Sequence, residues 1–115
     1  MGKILVIEDE AMVLRMIKEV LTRFGFTVDV AHTGSEGLHK FDNDSYDLVI
    51  TDILMPGIDG NRIASHIRGS ARGATPIIGM SGTPWLFKDN NFNKILPKPF
   101  PIKTLMQNVS ELTTE

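Results

Sequence analysis

Several short apolar runs in this chain end on residues of compatible chemistry. Glu8 and Asp9 follow Lys3 to Ile7, Asp52 follows Tyr46 to Thr51, Ser81 follows Pro76 to Met80, and Lys98 follows Lys94 to Leu96. Brought within a few ångströms, the three carboxylates would repel one another by about 1 kcal/mol per pair in water, and by more in a partly desolvated cleft. A hard divalent cation offsets that repulsion best. Mg²⁺ takes oxygen ligands and is typically held by one or two carboxylates together with phosphate oxygens, with Mn²⁺ an alternative. Lys98 supplies a second positive charge. Phosphoryl transfer asks for an in-line nucleophile, a metal to neutralise developing charge and donors for the remaining oxygens. In that reading Asp52 attacks as a carboxylate nucleophile and becomes an acyl phosphate. Glu8 and Asp9 hold the metal, while the Ser81 hydroxyl and the Lys98 ammonium each meet one phosphoryl oxygen. Backbone N–H groups after Asp52 and Ser81 are further donors.

These groups meet only if the runs lie side by side with their ends aligned. Lys3 to Ile7 is too short for a helix and rich in β-branched residues, as a strand covered on both faces requires. From Glu10 to Phe24 the apolar residues Val13, Met16, Ile17, Val20, Leu21 and Phe24 recur at helical spacing, and Gly25 stands where a left-handed C-terminal cap is expected. Thr27 to Ala31 reads as a second strand. Thr33 with Glu36 matches a capping box opening a short helix that buries Leu38 and Phe41. Tyr46 to Thr51 is a third strand, and Asp59 is a turn residue before a helix over Asn61 to Arg68. Pro76 to Met80 makes a fourth strand and Lys94 to Leu96 a short fifth. A terminal helix begins at Pro101, with Ile102, Leu105, Met106, Val109 and Leu112 along one face. Alternating strands and helices predict an α/β fold with a mostly parallel sheet and helices on both faces. In such sheets ligands bind beyond the carboxyl ends of the strands, where strand order reverses.

The composition narrows the function classes. The chain has 115 residues, 42% hydrophobic and 23% charged, a formal net charge of -2 and no Cys. That length supports one core without a disulfide or metal staple. Disulfide frameworks, thiol catalysis and cysteine zinc sites are excluded. Lys and Arg are scattered among acids rather than gathered in a basic stripe, which argues against direct nucleic-acid binding. No apolar run approaches the roughly 20 residues needed to span a bilayer, and the start of the chain has no signal-peptide pattern. The expectation is a cytoplasmic protein without membrane contact.

The segments that carry the candidate chemistry are Ile4-Leu5-Val6-Ile7-Glu8-Asp9-Glu10, Asp47-Leu48-Val49-Ile50-Thr51-Asp52-Ile53-Leu54-Met55-Pro56-Gly57-Ile58-Asp59-Gly60, Pro76-Ile77-Ile78-Gly79-Met80-Ser81-Gly82 and Pro97-Lys98-Pro99-Phe100. With them the chain resembles the receiver domains of two-component response regulators, the chemotaxis regulators among them, over nearly its whole length. The resemblance implies a flavodoxin-like, doubly wound five-stranded parallel sheet and a single receiver domain over residues 1–115. It implies that Asp52 accepts a phosphoryl group from a phosphohistidine on a histidine kinase or phosphotransfer protein. Mg²⁺ is then bound by Asp9, Asp52 and the backbone carbonyl of Leu54, with Glu8 acting largely through a water on the metal. Ser81 is similar to the family's switch hydroxyl, and Lys98 to its ion-pair partner, preceding a cis peptide to Pro99. A downstream protein, which the sequence does not identify, reads the altered surface.

The chain departs from the family pattern in one region. The stretch from Ser81 to Lys98 is several residues shorter than in similar receivers, so the fourth of the usual five helices should be short or absent. Ile95 stands where the family often has an aromatic switch residue. Trp85, Leu86 and Phe87 in that stretch either close over the sheet or stay exposed to anchor a partner.

The remaining motifs read as ordinary. His32, His39 and His66 lack metal-ligand spacing, the Met residues read as core filler, and the two glycosylation sequons are coincidental in a cytoplasmic chain. An FMN enzyme is opposed by Glu8-Asp9-Glu10, which would repel the cofactor phosphate. A phosphoaspartyl hydrolase lacks the second acid two residues after Asp52. A receiver-like interaction module that works without phosphate remains the alternative. No output domain is recognisable after the last helix, which fits either a standalone regulator or a piece of a longer protein.

Overall fold

A computed structural model describes residues 2–84 and 91–113. The elements run β1 (Lys3–Ile7), α1 (Ala11–Arg23), β2 (Thr27–Ala31), α2 (Gly34–Asn43), β3 (Leu48–Asp52), α3 (Gly60–Arg68), β4 (Ile77–Ser81), β5 (Lys94–Pro97) and α4 (Ile102–Thr113). All paired strands are parallel, in the order β2-β1-β3-β4-β5. The order reverses between β1 and β3, so a crevice opens at the ends that carry Glu8, Asp9 and Asp52. This is the flavodoxin-like, doubly wound architecture expected from the sequence.

Alternation along the strands divides the core in two. Leu5, Ile7, Val49, Ile53 and Ile77 pack with Phe41 of α2 and Ile63 and Ile67 of α3. Ile4, Val6, Leu48, Ile50 and Ile78 face the other way, against Leu14, Ile17 and Leu21 of α1 and Leu105 and Val109 of α4. Fully burying each such aliphatic side chain contributes roughly 1.5–3 kcal/mol, and both faces are covered, as parallel strands require.

The caps fix where the helices start and stop. Thr33 accepts the Glu36 N–H at 3.1 Å, and Glu36 in turn accepts the His32 N–H at 2.6 Å. Gly25 has φ 95°, the left-handed geometry that ends α1. Asp59 is more than a turn residue: its carboxylate accepts the Arg62 N–H at 3.0 Å and caps α3, which starts at Gly60.

Some sequence expectations shift. β3 begins at Leu48 rather than Tyr46, because Tyr46 turns inward and donates its hydroxyl to Asp29 at 2.7 Å. β4 is shifted one residue toward the C-terminus, Ile77–Ser81 rather than Pro76 to Met80, so Ser81 lies within the strand. Phe24 is 56% exposed and does not extend the buried stripe of α1. It is the C-cap, where the chain is already turning away; Leu14 is buried instead. Ile102 is 49% exposed, at the first turn of α4 before that helix settles on the sheet. Met12, 85% exposed, is not core filler.

Among the described residues no α-helix lies between β4 and β5. The expectation for Trp85, Leu86 and Phe87 falls outside the described residues. Beyond them, Phe92 is buried against the sheet where a Cβ on Gly79 would sit 2.9 Å from its ring. It covers part of the face that a full helix would otherwise cover.

Candidate functional site

The strand ends bring the expected groups together. Glu8, Asp9 and Asp52 each offer a carboxylate oxygen, and these oxygens lie within 4.8 Å of one another. Lys98, carried past the end of β5, places Nζ 2.7 Å from Glu8 Oε1 and 3.3 Å from Asp52 Oδ2. The Lys98–Pro99 peptide is cis. Lys98 also donates its backbone N–H to the Ser81 carbonyl at 2.7 Å, so β4 delivers the hydroxyl and β5 the ammonium as a hydrogen-bonded pair of strand ends.

Glycine 60 sets the floor. A Cβ there would lie 2.6 Å from the Asp52 carbonyl oxygen and the Ile53 Cα, both backbone atoms that cannot yield. Only glycine lets α3 start this close to the end of β3, with the Gly60 N–H donated to the Ile53 carbonyl at 2.9 Å.

The acids differ in environment. Glu8 is fully buried, Asp52 nearly so, and Asp9 exposed. Both Glu8 oxygens have protein partners, Oε1 accepting from Lys98 Nζ and Oε2 from the Glu10 N–H at 3.1 Å. Asp9 and Asp52 are therefore the freer carboxylates. Burial pushes the Glu8 carboxyl up to about 7; the Lys98 and Glu10 hydrogen bonds pull it down without prevailing, and the Asp52 charge raises it further. For Lys98, burial is the largest single influence and lowers it. The Glu8 hydrogen bond and the charges of Glu8 and Asp52 together outweigh burial and hold the ammonium above its ordinary range.

The Glu8 shift has a consequence for stability. A carboxyl raised on folding contributes stability that is complete below its unfolded value of 4.5 and is lost as pH rises through about 7. Without divalent ions, the melting temperature of the protein is expected to fall between pH 5 and pH 8 more steeply than that of Glu8→Gln. Parallel slopes in thermal melts of the two proteins would contradict this.

Ser81 is buried and close to the acids in the fold, but its hydroxyl is engaged in its own loop. Oγ accepts the Thr83 N–H at 2.9 Å and lies 3.5 Å from Thr83 Oγ1. Thr83 was not legible as part of the site from sequence; the only signal is a hydroxyl two residues after Ser81, a spacing at which side chain and backbone bond locally. Of the backbone N–H groups after Asp52, the first is already engaged. The Ile53 N–H is committed to the Met80 carbonyl at 3.0 Å, because the sheet ladder extends one residue beyond β3. Among the described residues the N–H groups of Leu54 and Gly82 meet no protein acceptor. Leu54 itself is 63% exposed beside the site. His66 pairs with Asp42 at 2.8 Å rather than with the clustered acids.

As a donor set, three oxygen ligands with an adjacent ammonium fit a small hard cation and an anionic group better than they fit a soft metal. Among the described residues no helix is long and apolar enough to cross a membrane.

Comparison with known proteins gives a consistent picture. The family model described as the response regulator receiver domain matches residues 4–110. Response regulator ArlR of Staphylococcus saprophyticus is 31% identical over 95% of this chain and 51% of its own length. Transcriptional regulatory protein ResD of Bacillus subtilis is 41% identical over 66% of this chain and 31% of its own length. The chain thus spans between about a third and a half of these curated relatives. Among solved structures, response regulator TrrA of Thermotoga maritima, in complex with Mg²⁺-BeF, superposes with a TM-score of 0.89 at 35% identity. That match covers 97% of this chain and 99% of the TrrA chain.

Proposed function

The chain belongs to the response regulator receiver domain family, and on that premise we propose that it accepts a phosphoryl group on Asp52 from the phosphohistidine of a histidine kinase or phosphotransfer protein. The acceptance depends on Mg²⁺ and changes the surface offered to a downstream protein. The observation that supports this most strongly is the convergence of Asp52, Asp9, Glu8 and Lys98 on one crevice. The cytoplasm is the proposed location.

In the transfer an Asp52 carboxylate oxygen attacks phosphorus in line. The oxygen–phosphorus bond forms as the phosphorus–nitrogen bond breaks, and the departing imidazole nitrogen keeps the electron pair and takes a proton. The Lys98 ammonium, already 3.3 Å from Asp52, meets a phosphoryl oxygen where charge accumulates. The free N–H groups of Leu54 and Gly82 are the backbone donors. Asp9, Asp52 and the Leu54 carbonyl would hold Mg²⁺, with Glu8 behind them, and the ion supplies neutralisation of the phosphoryl charge. Once the group is attached, contacts from Ser81 and Lys98 exist only in the modified form, which biases the domain toward a second state. Because Ser81 Oγ accepts the Thr83 N–H, its hydroxyl proton is left to donate to a phosphoryl oxygen.

Leu54 bears on the lifetime of that state. Its exposed apolar side chain two residues after Asp52 hinders water from lining up behind the phosphorus. Leu54→Asn is expected to shorten the phosphoryl half-life severalfold, read as release of inorganic phosphate after donor removal; an unaltered half-life would remove Leu54 from the account.

Titration with Mg²⁺ and beryllofluoride, a phosphoryl mimic, tests the proposal by NMR. Amides at the ends of β1, β3, β4 and β5 are expected to shift in the wild type and not in Asp52→Ala. A wild type that ignores the mimic would favour an interaction module working without phosphate.

A further inference from the structure

A groove of about 720 Å³ runs along the flank of α1 that faces the edge strand β2. Leu14 and Val30 contribute its apolar floor, Arg15, Lys18 and Arg23 its rim, and His32 closes one end. Among the described residues no ion pair or side-chain hydrogen bond engages Arg15, Lys18 or Arg23, although Glu19 lies between them on the same rim. Most other described cations are engaged: Lys3 with Asp44 and Asp29, Lys94 with Glu111, Lys98 with Glu8 and Asp52, Arg68 and Arg72 with backbone carbonyls. In a chain of net charge -2 this is a local reversal of sign, laid over an apolar trough.

From these observations we infer that the α1–β2 groove is a docking surface for an acidic amphipathic helical segment of a partner protein, separate from the phosphoryl-acceptor crevice and not dependent on it. From Arg15 to Arg23 is about 12 Å along a helix axis. One small anion cannot meet cations spread that far, whereas carboxylates spaced along a peptide can. The apolar floor asks for Leu-like side chains between the acids, as in helix-in-groove recognition. An added β-strand is disfavoured because Lys40 already donates to the Val30 carbonyl on the edge strand. A concave trough with Glu19 on its rim suits a peptide better than a lipid surface or a nucleic-acid backbone, both of which demand cations without opposing acids.

The test is an amide-resolved NMR titration of the full chain with two synthetic peptides of equal length and equal Leu spacing, one carrying Glu at its polar positions and the other Lys. The Glu peptide is expected to shift amides of Ala11 to Arg23 and of Val30 to His32, and to weaken as salt is raised from about 50 mM to about 500 mM. Affinity is expected to drop about tenfold or more in Arg15→Glu/Lys18→Glu. The Lys peptide should leave those amides unmoved. Because both cations are exposed and unpaired, the double variant should fold; Arg15→Gln/Lys18→Gln, with a smaller loss, checks the charge dependence independently. Equal binding of the two peptides, shifts located elsewhere, or unchanged affinity in the variants would overturn the inference. So would tighter binding of anionic vesicles or a short oligonucleotide at the same amides.

Discussion

Lys98→Met is expected to lower the rate of phosphoryl uptake from acetyl phosphate by about a hundredfold or more, the scale seen when one pre-organised donor to a developing charge is removed. Methionine keeps an unbranched apolar stem of similar reach, so the loss reports the ammonium rather than packing. The same change bears on stability with a defined sign. Removing one partner of a buried ion pair costs roughly 3–5 kcal/mol when it strands a charge, and Glu8 is the charge at risk. Burial already pushes Glu8 up to about 7, and without Lys98 its hydrogen bond and its charge no longer pull the carboxyl down. Glu8 therefore takes up a proton near neutrality instead of remaining ionised. The variant should melt close to the wild type at pH 6 and increasingly below it toward pH 8.5. Uptake at the wild-type rate would show that Lys98 does not meet the phosphoryl group.

Asp9→Asn is expected to separate metal binding from folding. Removing one of three neighbouring carboxylate charges relieves repulsion of about 1 kcal/mol per pair, or more in the crevice. In the absence of divalent ions the variant should therefore melt about 4 °C or more above the wild type. Mg²⁺ at about ten times its dissociation constant should stabilise the wild type by about 1.4 kcal/mol and the variant hardly at all. The two melting curves would then converge or cross as Mg²⁺ is added. A variant that is less stable than the wild type without metal, or that responds to Mg²⁺ equally, would mean that Asp9 is an ordinary solvated acid.

The fold and the acidic centre were legible because they rest on the same feature. Runs such as Ile4 to Ile7 and Leu48 to Ile50 are buried on both faces, so they are apolar without interruption, and the polar residues at the end of each mark the sheet's carboxyl edge. Glu8, Asp52, Ser81 and Lys98 are such residues. Periodicity was less able to choose between adjacent apolar positions of one helix. Leu14 and Val13 both fit the stripe of α1, and only packing against β1 and β2 selects Leu14. Phe24 fits the spacing but falls where the helix has already ended. The bond between Thr83 and Ser81 leaves no trace in a hydrophobic pattern, because it is local polar chemistry inside a loop. The cationic flank of α1 was hidden for a different reason. Arg15, Lys18 and Arg23 are separated by other residues in the chain and read as scattered charge until the helix gathers them over β2.

Incubation with Mg²⁺ and acetyl phosphate, and in parallel with a phosphorylated histidine kinase, followed by peptide mapping by mass, tests most directly whether the crevice makes Asp52 a phosphoryl acceptor. The expected result is one phosphoryl group, located on Asp52, lost in Asp52→Ala and absent when Mg²⁺ is chelated. A phosphoryl group on another residue, uptake that survives chelation, or a wild type left unmodified by both donors would contradict it.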